Sequence, residues 1–326
     1  MGKKFSILAI TFAVVAFTQP AHAQNAGKVW RIGTLMNGSP ATHGHNLEWY
    51  RQGFKELGYV EGRNYVFVSR WAKGQRKRLP GLAKELVDAN VDVILVNGGN
   101  PTRAVAKATK KIPIVVGSAS GLGTWGLVAS LARPGGNVTG STAFDPGLEG
   151  KRLELLREAV PGIRRVAFLF LPSKRIRKEL KRTETAARSL GVKIIPFPVR
   201  SLGDIEDAFV SMVNERSDAL IVPSSNVTYF NRKRVAELVT ARKLPAICAR
   251  QKIAKTGCLM AYAPDRSFMN RSAAAFVDKI LKGANHGDLP VHRPTRYNLI
   301  VNLKLAKALG FTVPPSILLR ATEVIE

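Results

Sequence analysis

The stretch 91–118, VDVILVNGGNPTRAVAKATKKIPIVVGS, constrains the fold more than any other part of the chain. It reads as an apolar strand over 91–96, a polar turn over 97–102, a short helix to Thr109 and a second apolar strand over 112–116. Uninterrupted runs such as VILV and IPIVV, bounded by glycine and proline, suit strands covered on both faces, as in a parallel sheet flanked by helices. Ligand sites in such sheets lie beyond the carboxyl ends of the strands. Here those ends read Asn97-Gly98-Gly99-Asn100 and Gly117-Ser118-Ala119-Ser120, which offer backbone N–H groups and small polar side chains but no catalytic acid or base.

The unit recurs at 217–250, SDALIVPSSNVTYFNRKRVAELVTARKLPAICAR, as strand, polar turn, helix, basic connection and strand. Upstream of each unit, KELGYVEGRNYVFV at 55–68 is echoed by ARSLGVKIIPFPV at 187–199. Two halves with the same order of elements predict an α/β protein of two Rossmann-like lobes with parallel sheets. A chain of 326 residues, 45% of them hydrophobic, is long enough to bury two such cores. In the first half, the pattern predicts strands over 29–36 and 65–71. A helix over 45–57 lies between them, its Leu47, Tyr50, Phe54 and Leu57 recurring at the period of a buried face.

Residues 1–23 read as a secretory signal, with Lys3 and Lys4, an apolar core over 7–17 and a small-residue cleavage site at Ala21-His22-Ala23. That core is short for a bilayer, and no other stretch approaches the roughly 18 apolar residues of a spanning helix. An exported, monomeric protein that does not span the membrane is expected, in the periplasm. The net charge of +27, to which Lys3 and Lys4 contribute two, is spread over nearly every helix. With aromatics at 7%, it reads as a solvated basic surface and not as a nucleic-acid site. Cys248 and Cys258 fall in successive predicted strands, where an oxidising compartment allows a disulfide and the apolar surroundings allow two buried thiols.

Motifs for catalysis are weak. Gly121-Leu122-Gly123-Thr124-Trp125-Gly126 matches G-x-G-x-x-G, following a strand and opening a predicted helix, with Asp145 where a ribose-binding acid would stand. It sits at the fourth strand instead of the first, so a glycine-rich cleft turn is the better account. His43, His45, His286 and His292 show no H-x-x-H spacing, so no metal site is expected. There is no G-x-S-x-G, and Ser224-Ser225 reads as a hydrogen-bonding turn. No cofactor is implied, and the chain does not read as an enzyme.

Longer motifs carry a resemblance. They are Arg31-Ile32-Gly33, the run RQGF at 51–54, LGYVEGRN at 57–64, Leu127-Val128 through GNVTG at 136–140, KRLELL at 151–156, Pro290-Val291, the stretch 303–315 and the closing Glu323-Val324-Ile325-Glu326. Together they resemble the periplasmic substrate-binding components of ABC transporters related to tryptophan- and tyrosine-binding proteins, from about Trp30 to the end. The resemblance implies the type I periplasmic binding protein fold, two lobes joined at a hinge with a ligand between them and an ABC permease as partner. It further implies hinge crossings near 138–144, 258–264 and 292–297, which give lobe 1 as 28–142 plus 264–292 and lobe 2 as 143–263 plus 293–326. An exported sensory domain of the same fold and, more distantly, an exported α/β enzyme are the alternatives.

The family often carries acids in the turns where this chain has Ser118-Ala119-Ser120 and Pro172-Ser173-Lys174. An amino-acid ligand needs an acceptor for its ammonium group, because buried unpaired charge is costly. Gathering the expected strand ends gives the candidate ligand-binding set Asn37, Ser39, Asn97, Asn100, Thr102, Ser118, Ser120, Ser173, Ser224, Asn226 and Arg250, with Asp145 nearby. One cation among neutral groups favours a small carboxylate over a zwitterion. Arg250 can meet that carboxylate bidentately or point to solvent.

Overall fold

A computed structural model describes residues 27–326; the expected signal segment lies outside the described residues. The first half builds β1 (Trp30–Met36), α1 (Pro40–Glu56), β2 (Tyr65–Trp71), α2 (Leu79–Asp88), β3 (Val93–Asn97), α3 (Gly99–Ala108), β4 (Ile114–Ala119) and β5 (Val138–Thr142). These strands form one five-stranded sheet of order β2-β1-β3-β4-β5, with every pairing parallel. Alternation along β3 explains why two cores are needed. Ile94 and Val96 face the cluster built with Leu82, Leu86 and Val105, while Val93 and Leu95 face the one built with Leu47, Tyr50 and Phe54.

The chain then adds α4 (Leu148–Ala159), β6 (Arg165–Phe170), α5 (Lys174–Ser189), β7 (Lys193–Pro198), α6 (Leu202–Asn214), β8 (Ala219–Val222), α7 (Asn226–Phe230), α8 (Arg232–Ala241), β9 (Ala246–Cys248), α9 (Gln251–Gly257) and β10 (Met260–Pro264). It closes with α10 (Arg266–Leu281), β11 (Tyr297–Asn302), α11 (Leu303–Leu309), α12 (Pro315–Leu318) and β12 (Glu323–Ile325). The second sheet has seven strands in the order β12-β11-β10-β9-β8-β6-β7. Only the β10–β11 pairing is antiparallel. The fold is therefore α/β with two parallel-dominated sheets.

Three connections join the halves. β5 belongs to the first sheet, yet the chain passes through 143–147 into α4, whose Leu153 and Leu156 pack in the second half's core. β10 belongs to the second sheet, yet α10 places Ala273, Phe276 and Val277 in the core under β1 and β3. The return runs from His292, which pairs with Ser141 beside β5, to Tyr297 at the start of β11. Helix α10 approaches α1 so closely that a Cβ on Gly53 would stand 2.1 Å from the Arg271 carbonyl oxygen.

A cap explains the boundary of α1, whereas α3 begins at Gly99, inside the expected polar turn, with no side-chain cap. Helix α1 begins at Pro40, five residues before the expected start, because Ser39 and Thr42 satisfy each other's backbone N–H groups and proline suits the first helical position. Asp265 Oδ1 accepts from the N–H groups of Ser267 and Phe268 to open α10, and Gly310 closes α11 with a φ of 79°. The glycine-rich stretch at 121–126 corrects the sequence reading, since it opens no helix. It folds as successive turns with positive φ at Gly121 and Gly126. Cys248 and Cys258 are joined as a disulfide that brackets α9, so of the two possibilities the bonded one is present.

Candidate functional site

A strand order of 2-1-3-4-5 places the crevice between the ends of β1 and β3, where the order reverses. In the second sheet the corresponding reversal lies between β6 and β8. A cavity of about 690 Å³ stands between the two sets of ends, within the range of small-molecule sites.

The wall contributed by the first half is mostly neutral, and several of its polar groups are already hydrogen-bonded, although Asn37 Oδ1 is buried without a partner. Asn37, Gly38 and Ser39 follow β1, and Asn97 to Asn100 follow β3. Asn97 Nδ2 donates to Asn46 Oδ1 at 3.2 Å and to Asn270 Oδ1 at 2.9 Å, tying β3 to α1 and α10. Asn100 Oδ1 accepts from Arg103 at 3.0 Å. Trp49, His43 and His45 line the same wall, His45 standing edge-on to the Trp49 ring with centroids 4.8 Å apart. Lys73 is its one cation. It adopts a left-handed backbone, φ 52°, and its N–H donates to the Gly38 carbonyl at 3.0 Å. Burial and the nearby charges of Lys252, Arg250 and Arg266 lower the pKa of His43 below its usual value.

The facing wall is basic and aromatic. Asn226, Tyr229, Phe230 and Arg232 come from α7 and the start of α8, Arg250 from the turn between β9 and α9, and Gln251 and Lys252 from the first turn of α9. Arg250 Nε donates to Ser224 Oγ at 2.7 Å, and its guanidinium carbon lies 4.8 Å from the Tyr229 ring centroid. Arg232 stands 5.2 Å from the same ring. Arg250 therefore turns inward, held between a hydroxyl and an aromatic face. Burial, with neighbouring Arg266 second, pushes its pKa down to about 10. Arg266, exposed at the start of α10, completes the wall where the two halves meet.

Six of the twelve candidates line the cavity: Asn37, Ser39, Asn97, Asn100, Asn226 and Arg250. The others stand elsewhere for local reasons. Thr102 is buried one turn into α3, donating to the Gly98 carbonyl, and Ser118 is buried within β4. Ser120 lies just past that strand, outside the lining. Ser173 turns to its own helix, accepting from the Ile176 N–H. Ser224 acts behind the wall, with its hydroxyl on Arg250 and its carbonyl on Arg175. Asp145 lies in the connection after β5, accepting from the Tyr297 hydroxyl and the Gly147 N–H. Lys73, Arg232, Lys252 and Arg266, with the aromatic Trp49, Tyr229 and Phe230, are lining residues absent from the sequence-derived set.

Charge decides what the arrangement can hold. The lining contains Lys73, Arg232, Arg250, Lys252 and Arg266 against one carboxylate, Asp265. None of these five cations pairs with a carboxylate among the described residues; Lys73, Lys252 and Arg266 are exposed, while Arg232 and Arg250 are half-buried. One oxygen of Asp265 is already shared by the Ser267 N–H, the Ser267 hydroxyl and the Phe268 N–H. The two half-buried arginines, Arg232 and Arg250, share the Tyr229 ring, and like charges placed so are unfavourable alone and become favourable around an anion. Among the described residues, no cluster of His, Cys, Asp or Glu could hold a metal ion. Nor is any described helix long and apolar enough to cross a membrane.

Comparisons with known proteins agree with this geometry. Residues 46–325 match the family described as ABC transporter substrate binding protein. A tyrosine-binding protein of Clostridioides difficile (strain R20291) is 24% identical over 269 residues, covering 81% of this chain and 77% of that protein. Among solved structures, a domain from Streptococcus pneumonia in complex with L-Trp superposes with a TM-score of 0.81 at 24% identity, covering 91% of this chain and 100% of that one. A conserved domain protein of Vibrio cholerae gives the same score, identity and coverage. The ligand-free, open form of a substrate binding protein with adhesive properties from Clostridium difficile gives 0.77 at 23% identity, covering 91% and 99%. At these identities the structural likenesses establish the fold, and it is that of the type I periplasmic binding proteins.

Proposed function

The chain belongs to the ABC transporter substrate binding protein family, and from that premise we propose that it is a periplasmic receptor for a small organic carboxylate. The observation that carries this reading is the cavity's five cations facing a single, partly engaged carboxylate. The ligand's acidic group sits on Arg250, whose Nε is committed to Ser224 while its terminal nitrogens are left for a bidentate contact. Asn37, Ser39, Asn100 and Asn226 orient the remainder, and Trp49, Tyr229 and Phe230 cover its apolar part. Relatives are named for tyrosine or contain L-Trp. Two lining acceptors are open to an ammonium group, the second oxygen of Asp265 and the buried, unpartnered Asn37 Oδ1, but they face five cations, so the acid is favoured over the amino acid.

In this reading residues 1–23 direct export and are removed, and the mature protein acts as a monomer that hands its ligand to a membrane permease. Residues 28–142 with 264–292 move as one lobe and 143–263 with 293–326 as the other, about the three connections. A ligand touching both lobes stabilises only the arrangement that closes on it. Neither nucleic acid nor turnover of the ligand is involved.

A thermal-shift screen over aromatic acids, short carboxylates and their amino-acid counterparts tests the proposal. Carboxylates should raise the melting temperature and reduce the radius of gyration in solution scattering. Stabilisation by amino acids alone, or turnover of a stabilising acid, would overturn it.

A further inference from the structure

Arg250 and Arg266 approach the cavity from different parts of the fold. Arg250 follows β9 in the second sheet, whereas Arg266 opens α10, which packs against the first. Both line the one cavity; both charges oppose a proton on His43, and Arg266 opposes the charge of Arg250. Arg250 is fastened by Ser224 and Tyr229. Arg266 is exposed and makes no side-chain hydrogen bond, ion pair or aromatic stack among the described residues. One carboxylate on Arg250 satisfies the first group and leaves the second without a partner in the same cavity as Lys252 and Lys73. An excess of cations over one ligand charge is not needed to hold a monocarboxylate, for which a single bidentate arginine suffices.

We infer that the ligand is an organic dianion, with one carboxylate on Arg250 and a second on Arg266, and that Arg266 is the residue that selects it. This rests on the carboxylate-receptor reading and narrows it. The Arg250 subsite sets affinity for any carboxylate. The Arg266 subsite rewards only a ligand whose second acidic group reaches across the junction of the two halves, and that bridging contact pulls the lobes together. A compact dianion is also steered into the cleft by the same field that a monoanion feels more weakly.

The experiment is calorimetry at fixed ionic strength with matched probes: benzoate against the three benzenedicarboxylates, and butyrate against succinate and glutarate. At least one dicarboxylate should bind tenfold or more tightly than its monocarboxylate in the natural protein. In Arg266→Met that preference should fall to about threefold or less while monocarboxylate affinity changes little. In Arg250→Met both series should weaken. Lys304→Met removes one exposed charge away from the cavity and should leave the preference intact. If monocarboxylates bind as well as every dicarboxylate, or Arg266→Met keeps the preference, the dianion inference is overturned while the carboxylate reading stands. If neither series binds, both are overturned. Circular dichroism of each variant separates loss of the subsite from loss of the fold.

Discussion

The two walls of the cleft are built from the same elements, strand ends opening onto helix starts, yet they solve different problems. The wall after β1 and β3 spends its polar groups on its own scaffold, as when Asn97 ties to Asn46 and Asn270. The wall after β8 and β9 keeps its cations unpaired by carboxylates and steadies them with neutral contacts, as when Arg250 rests on Ser224 and Tyr229. A hydrogen-bonded amide buried in a scaffold contributes to stability, whereas an uncompensated guanidinium contributes to the capture of an anion. The first wall therefore supplies shape and the second supplies charge.

The largest expected effect breaks the second wall. Arg250→Met should cost about 2–3 kcal/mol in ligand binding, roughly 30- to 150-fold in Kd, since it removes a charged partner from a partly buried contact. The melting temperature of the ligand-free variant should be unchanged or raised, because a charge opposed by Arg266 has gone. Calorimetry and thermal unfolding on the same sample give both quantities. A variant that lost stability instead of affinity would make the two walls alike.

Asn97→Ala is the complementary change. It removes two hydrogen bonds from the buried network and should lower unfolding stability by about 1–3 kcal/mol. Denaturant titration reads this as a shift in midpoint. Unchanged stability with lost affinity would move Asn97 from scaffold to ligand contact.

Much of this division is visible in the chain before folding, and the rest depends on features a one-dimensional pattern does not carry. The apolar runs at β3 and β4 place the strands to within a few residues, because strands covered on both faces are mostly continuous apolar runs; the small polar ends, Asn97 and Ser118, are where the limits blur. The recurring unit at 217–250 foretells the second sheet for the same reason. Taking polar residues just past the strand ends finds Asn37, Ser39, Asn97, Asn100, Asn226 and Arg250. The rule overreaches at Thr102, already inside α3, and at Ser173, which caps its own helix. It was open to Lys73, two residues past β2, by the same reasoning that chose the others. Arg266 stands at the same offset past β10 and was equally open to it; what the pattern does not carry is that β10 ends one lobe while α10 packs in the other, which puts this cation at the junction.

Ser224→Ala sharpens the comparison at smaller scale. Losing the hydroxyl that fixes Arg250 Nε should weaken binding about three- to tenfold, the value of one net hydrogen bond of about 0.5–1.5 kcal/mol, with the arginine still present. An effect equal to that of Arg250→Met would mean that the serine contacts the ligand itself.

The smallest expected effect is on pH dependence. His43 has a lowered pKa because burial and the facing Lys252, Arg250 and Arg266 oppose its proton; His45 is lowered by burial, Lys252 and His43. A bound anion offsets those cations and raises the His43 pKa, so protonation favours the bound state. The added affinity is fully present below the ligand-free pKa and is lost as pH rises through the bound one. Between pH 7 and 5, binding of a fully ionised ligand should therefore strengthen by about threefold, with proton uptake measurable from the buffer dependence of the calorimetric heat. Proton release would place the anion away from His43.

The claim that the second wall selects a carboxylate, and not a zwitterion, is tested most directly by one comparison in the natural protein. Calorimetry should give the Kd of indole-3-propionate beside that of tryptophan, which has the same ring and carboxylate and adds only the ammonium group. The five cations and the partly engaged Asp265 predict that the acid binds at least tenfold more tightly. Equal affinity, or preference for tryptophan, would show that the cleft receives an ammonium group after all and would contradict the account.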